Sequence, residues 1–311
     1  MSGRWFLPLM ALLGGCATQA PQPQSALRDK NFGVLVMAHG GGQQWNKDVL
    51  AAVEPLKGEY NIEVAFGMAD AASLQEGVKQ LEARGASHIG VVRLFISGES
   101  FKQRTEQILG LIPGAPARPA ANTDAHASHG EAHGGHSMEF WRVDTRASFA
   151  LSGQGLVEAP EMGQVLATRA KALSKNPAQE DVLILAHGPG DDAENERWLK
   201  QLDARAEVVR KAQPFHAVKV ETLREDWPDK RVAAEKRVRE FVEQSVREGR
   251  RAVVIPFRVQ GFGPYAKVLE GLDYVSDGKG LIPHPSVTQW IEHQAETLRP
   301  EKIRASARRG G

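Results

Sequence analysis

One short text, used twice, constrains this chain more than any other feature. Residues 33–42 read Gly-Val-Leu-Val-Met-Ala-His-Gly-Gly-Gly, and residues 181–190 read Asp-Val-Leu-Ile-Leu-Ala-His-Gly-Pro-Gly. In each, an apolar run ends in Ala-His-Gly. A continuous apolar run of this length, bounded by glycine, is what a strand buried on both faces of a parallel sheet requires. The histidines, His39 and His187, then fall at the carboxyl ends of strands, where open α/β sheets place their ligands.

The text around these runs alternates in kind. Strand signals at Phe32–Ala38, Ile62–Gly67 and His88–Ile96 are separated by helical signals at Gln44–Lys57 and Ser73–Arg84, with Phe101–Leu109 following. The second half repeats the scheme with strands at Val182–Ala186, Ala217–Thr222 and Ala252–Phe257. Such alternation predicts βαβ units and parallel sheets. Glu139–Val143 and Ala147–Leu151 also read as short strands, and Glu161–Leu173 as a helix.

The halves match beyond the histidines. Val91-Val92-Arg93-Leu94-Phe95-Ile96-Ser97-Gly98 aligns with Val254-Ile255-Pro256-Phe257-Arg258-Val259-Gln260-Gly261. Gly153-Gln154-Gly155-Leu156 aligns with Gly278-Lys279-Gly280-Leu281, and Pro160 falls on Pro285. From Gly98 to Gly155 is 57 positions, but from Gly261 to Gly280 only 19, so the first half carries 38 extra residues. The expected fold class is therefore α/β, an internal duplication with parallel sheets facing a central cleft.

Length and charge set the outer limits. A chain of 311 residues suggests two domains, and a net charge of +1 gives no global argument for nucleic acid. Arg4, the apolar stretch Phe6–Leu13 and Leu13-Gly14-Gly15-Cys16 read as a signal peptide. Small residues before a lone cysteine resemble a bacterial lipobox, which implies lipidation of Cys16. No Asp follows Cys16, which points to the outer membrane of a Gram-negative bacterium, with the domain facing the periplasm. Residues 17–30, rich in Pro, Gln and Ser, read as a flexible tether. The expected division is 1–16 signal, 17–30 tether, 31–177 first lobe with an insertion at about 113–137, and 178–311 second lobe.

The strand ending in Ala-His-Gly, the strand ending in Phe-x-x-Gly and the later Gly-Leu-x-x-x-Pro before a helix resemble the class II chelatases. The closest group is the sirohydrochlorin cobaltochelatases and ferrochelatases. Leu281-Ile282-Pro283-His284-Pro285 is also phrased much as that family writes its last helix. The resemblance covers roughly residues 31–298 and implies two similar flavodoxin-like lobes. It implies insertion of a divalent metal ion (cobalt, iron or nickel) into a tetrapyrrole without ATP, as a lyase. On that resemblance His39 binds metal and accepts protons, and His187 is its counterpart. Small family members place a second histidine just after the glycine that ends the third strand. This chain reads Gly98-Glu99-Ser100 there, so Glu99 is either a substitute ligand and proton relay or an ordinary exposed acid at a helix start, with Ser100 a candidate beside substrate. Arg93 is a candidate partner for macrocycle carboxylates or, equally, for a strand-edge salt bridge, and His284 a candidate cleft residue.

His126, His129, His133 and His136 lie among Gly, Ala and Ser inside the insertion. Four imidazoles so close read as a labile site for Ni, Co, Cu or Zn. The remaining expectations are partners: a tetrapyrrole or metal ion as ligand, membrane contact through the lipid anchor alone, no nucleic acid, and a homodimer as a candidate assembly. The alternative function is a periplasmic metal- or tetrapyrrole-binding lipoprotein without catalysis. Its support is that tetrapyrroles are made in the cytoplasm, whereas this chain carries an export signal.

Overall fold

The computed structural model describes residues 29–119 and 138–307. Cys16, the tether and the four clustered histidines His126, His129, His133 and His136 lie outside the described residues.

Two parallel sheets carry the fold. The first contains β1 (Phe32–Ala38), β2 (Asn61–Phe66), β3 (His88–Leu94) and β4 (Ser148–Leu151), in the order β2-β1-β3-β4. The second contains β5 (Glu180–Ala186), β6 (Ala217–Thr222) and β7 (Arg251–Phe257), in the order β6-β5-β7, with a parallel bridge from Val253 to Val275 where a fourth strand would stand. The repeated texts are thus the central strands β1 and β5, and every residue of both is buried.

Their side chains alternate between two cores, as the pleat demands. Val34, Val36 and Ala38 face a core shared with Val182, Ile184 and Ala186 of the second sheet. Leu35 and Met37 face the opposite side, with Leu74, Val78 and Leu81 of α2 (Ala71–Ala83). Leu183 and Leu185 do the same against Val238 and Val242 of α6 (Pro228–Arg247).

The remaining helices are α1 (Gln43–Val53), α3 (Lys102–Ile108), α4 (Glu161–Leu173), α5 (Asp192–Ala212), α7 (Tyr265–Val268), α8 (Pro285–Thr297) and α9 (Pro300–Ala307). Two of them exchange lobes. α4 precedes β5 in the chain and packs on α5 and β7, whereas α8 returns from the second half to pack on α1 and β3 of the first. Trp290 of α8 is fully buried in the shared core and donates through Nε1 to Gln154 at 3.1 Å. The sheets fall either side of residue 178, but their outer helices cross that boundary.

Two sequence expectations change. The helix expected over Gln44–Lys57 ends at Val53 and tightens into a 3-10 turn over Glu54–Leu56, because Pro55 has no N–H for the α ladder. Glu139–Val143 joins no sheet. Its backbone bonds go elsewhere, Val143 N to Ile108 O at 2.9 Å and Glu139 N to Asp70 Oδ1 at 2.8 Å, while Trp141 and Val143 enter the outer core of the first lobe.

The foot of β5 carries two buried acids. Glu180 accepts from Ser174 Oγ at 2.5 Å and Arg251 Nη1 at 2.8 Å, and Asp181 accepts from Arg250 Nε at 2.8 Å and meets His216 Nδ1 at 2.7 Å. Burial pushes both pKa values up, but these hydrogen bonds outweigh it and hold both below the usual carboxylate range. A depressed folded-state pKa contributes stability above the unfolded value, and that stability is lost as pH falls through the folded one. Stability to urea is therefore expected to fall below about pH 4, where unfolded carboxylates begin to protonate. Asp181→Asn should be less stable than wild type at neutral pH, with the gap in urea midpoint closing in acid. A gap that stays constant down the acid limb would contradict this role.

Candidate functional site

His39 and His187 are the first residues beyond β1 and β5, and both line one cleft of ≈ 500 Å³ at the carboxyl ends of the strands. Each is followed by a glycine in the left-handed region, Gly40 at φ 79° and Gly188 at φ 77°, a conformation that costs other residues energy. That turn brings the glycine carbonyl back to the ring. His39 Nδ1 lies 2.8 Å from Gly40 O, and His187 Nδ1 lies 2.6 Å from Gly188 O. A carbonyl only accepts, so Nδ1 carries the proton in both rings. The repeated Ala-His-Gly text therefore fixes the tautomer and aims Nε2 outward.

The two Nε2 atoms meet different surroundings. His39 is exposed, with Trp45 at a ring separation of 6.5 Å and Met68 on the same cavity wall. Its Nε2 keeps a lone pair. His187 Nε2 stands 2.9 Å from Asp226 Oδ2 and 3.3 Å from Glu225 Oε1, and Trp227 packs edge-on to its ring at 5.9 Å. With Gly188 O at Nδ1 and the two acids at Nε2, His187 is placed to share a cation with Asp226 and Glu225.

Glu225 is held in turn. Arg258 Nη1 donates to Glu225 Oε1 at 2.6 Å, and its guanidinium lies 5.5 Å from the centre of the Tyr265 ring. Burial pushes the Tyr265 phenol up, so it stays neutral. The second oxygen, Glu225 Oε2, is buried without a hydrogen-bond partner. An orphaned carboxylate oxygen beside an imidazole suits a cation. Among the described residues, no group of three or more His, Cys, Asp or Glu is arranged as a formed metal site.

The difference between the halves is built into the loops. Strand register pairs Ala38 with Leu94 and Ala186 with Phe257, so Phe95 and Arg258 occupy equivalent positions. The loop from β2 to α2 spans Gly67 to Asp70. Its counterpart from β6 to α6 spans Leu223 to Trp227, one residue longer, and carries Glu225 and Asp226. Ala69, Phe101 and Arg224, all in loops beyond strand ends, hold positive φ of 55°, 54° and 58°. Non-glycine residues held there store strain, which clusters at ligand sites.

Other expected site residues are distributed as follows. Ser100 lines the cleft. Glu99 does not. Its carboxylate is exposed and takes two bonds from Arg197 Nη2 of α5, at 3.0 and 3.2 Å, so it bridges the lobes at the surface instead of replacing a ligand. Arg93 is buried to 1% exposure and gives its guanidinium to backbone carbonyls, so it is not free for a substrate carboxylate. His284 caps α8, accepting from Ser286 N at 3.1 Å, and lines a separate groove with Pro55 and Thr288. Burial, with help from Arg169, lowers its pKa.

Sequence reasoning missed Glu225, Asp226 and Trp227. The available signal was an acid pair directly after a predicted strand, at the same carboxyl edge as His187. Trp45 and Trp198 both line the cleft, whereas Trp290 is core.

Two parallel-sheet lobes with exchanged helices thus face a cleft that carries a histidine from each, and this α/β architecture is similar to that of chelatases of known structure. SirB of Bacillus subtilis with Fe3+ superposes with a TM-score of 0.58 at 14% identity, over 86% of this chain and 95% of that one. The sirohydrochlorin chelatase SirB of Bacillus subtilis subspecies spizizenii in complex with cobalt gives 0.53 at 14%, over 87% and 97%. DR2241 of Deinococcus radiodurans, a multi-domain protein with structural similarity to chelatases and two additional novel domains, gives 0.52 at 18%. That match covers 90% of this chain, which spans 60% of the Deinococcus protein. No protein-family model and no curated protein sequence matches the chain.

Proposed function

We propose that the cleft binds a tetrapyrrole together with a divalent metal ion, and that the protein inserts one into the other. The observation that carries this reading is the pair of strand-end histidines with unlike Nε2 environments. Metal insertion needs a proton acceptor for two pyrrole N–H groups and a donor set for the incoming cation. His39 is held through Nδ1 by Gly40 O and presents Nε2 to the cleft, which suits the acceptor. His187 Nε2, with Glu225 and Asp226 beside it, offers imidazole and carboxylate donors to cobalt, iron or nickel as cargo, a set that would have to draw together around the cation. Trp45, Phe95, Phe101, Trp198 and Trp227 supply flat apolar surface for a macrocycle.

A second reading is a carrier that binds the same ligands without turnover, tethered to the outer membrane through Cys16. It is favoured by Glu99, which pairs with Arg197 and leaves the cleft without the additional proton relay. One experiment separates the two. Protein beginning at residue 17 is mixed with cobalt(II) and a metal-free tetrapyrrole, and the absorbance is followed. Repeated turnover supports insertion. A single stoichiometric spectral change supports the carrier, and no change with either ligand removes both.

A further inference from the structure

The charge on the cleft walls bears on which tetrapyrrole enters. Among the fifteen described lining residues, Arg258 is the one Lys or Arg, and its guanidinium is already committed to Glu225 at 2.6 Å. Against it stand two carboxylates, Glu225 and Asp226. Arg93, one strand-end away, is sequestered by backbone carbonyls, and Arg197 at the surface is paired with Glu99. Asp48, next to the cleft residue Gln260, accepts its amide at 3.0 Å and adds another acid to that end. Eight of the fifteen lining residues are apolar or aromatic.

A buried carboxylate needs a cation or several donors to offset its lost hydration. With Arg258 paired to Glu225, the wall keeps one unmatched acid, Asp226 beside His187, and no cation left for a substrate carboxylate, so it repels added carboxylates. It accepts a flat apolar face.

We infer that this cleft selects a macrocycle with few carboxylates, of the dipropionate porphyrin type, over an octacarboxylate such as sirohydrochlorin. The inference rests on the macrocycle-binding reading above and narrows its substrate class. In the bound state the ring lies among Trp45, Phe95 and Trp227, and the few acid side chains point out to solvent.

The test uses three metal-free porphyrins that share a ring and differ in acid number: deuteroporphyrin with two carboxylates, coproporphyrin with four and uroporphyrin with eight. Each is titrated into the protein at fixed ionic strength, and binding is read from quenching of tryptophan emission. Affinity is expected to fall along the series, with deuteroporphyrin at least about tenfold tighter than uroporphyrin, a difference of about 1.4 kcal/mol. Raising salt should narrow the gap, since the opposing term is like-charge repulsion. Uroporphyrin binding as tightly as deuteroporphyrin, or tighter, would overturn the inference and leave macrocycle binding standing. Flat titrations with all three would overturn macrocycle binding itself.

Discussion

His39→Ala is expected to lower the turnover of the proposed metal insertion by about 10²–10⁴-fold, the usual worth of a positioned general base. The expectation follows from hydrogen-bond bookkeeping. Gly40 O occupies Nδ1 at 2.8 Å, so Nε2 is the lone pair that faces the cleft. His187 cannot substitute, because its Nε2 already faces Asp226 and Glu225. The two histidines should therefore fail differently. His39→Ala should still bind metal and macrocycle but insert slowly, so kcat falls while both affinities hold. His187→Ala should lose metal retention, so the apparent affinity for cobalt weakens. Equilibrium dialysis for the metal, fluorescence for the macrocycle and absorbance for turnover read the three quantities separately. Wild-type turnover in His39→Ala would sink the assignment of the base. Equal loss of metal binding in both variants would show that the histidines act as a single ligand set.

How much of this was legible in the sequence differs from residue to residue, for physical reasons. Ala38-His39-Gly40 and its repeat were readable because burial on both faces forces a continuous apolar run, and the tight turn after it calls for glycine. The equivalence of Phe95 and Arg258 was readable because both follow strands in matching text, and the strand registers agree. Glu225 and Asp226 were not readable, because an acid pair after a strand looks the same whether it faces solvent or an imidazole. The Glu99–Arg197 pair was not readable because Arg197 lies on a helix of the other lobe. The helix pattern of α4 and α8 announced a buried face but not the sheet it would cover, so their exchange across residue 178 was invisible. His284 was misplaced for the same reason, since its helix packs on the first lobe and turns the cap toward a separate groove.

Arg93 is the case where the structure reverses a role, and Arg93→Met tests the new one. The guanidinium donates from Nε to Ser152 O at 3.0 Å, from Nη2 to Ser152 O at 2.7 Å and Gly98 O at 2.6 Å, and from Nη1 to Ser100 O at 2.9 Å. These bonds join the end of β3 to the loop 97–100 and to the chain leaving β4. The same junction is closed from the other side by Gly98 and Gly155. A Cβ on Gly98 would stand 2.2 Å from Gly153 O, and one on Gly155 would stand 2.4 Å from Gly98 N. Burial lowers the Arg93 pKa, with Glu106 and Glu158 opposing, and no carboxylate bonds to it among the described residues. Methionine fills a similar volume but strands two buried carbonyls, Ser152 O and Gly98 O, each costing about 1–3 kcal/mol when unpaired, and leaves the part-buried Ser100 O to solvent. Relief from burying the charge offsets part of that, so the expected net loss is about 2–4 kcal/mol, read as a lower urea midpoint with an unchanged slope. Arg93→Lys should recover little of it, because one ammonium cannot span three carbonyls held in a fixed fork. A substrate-binding arginine would behave in the opposite way: stability would hold, macrocycle affinity would collapse, and lysine would restore part of it. If Arg93→Met keeps the wild-type urea midpoint while losing the macrocycle, the latch is wrong and Arg93 belongs to the ligand.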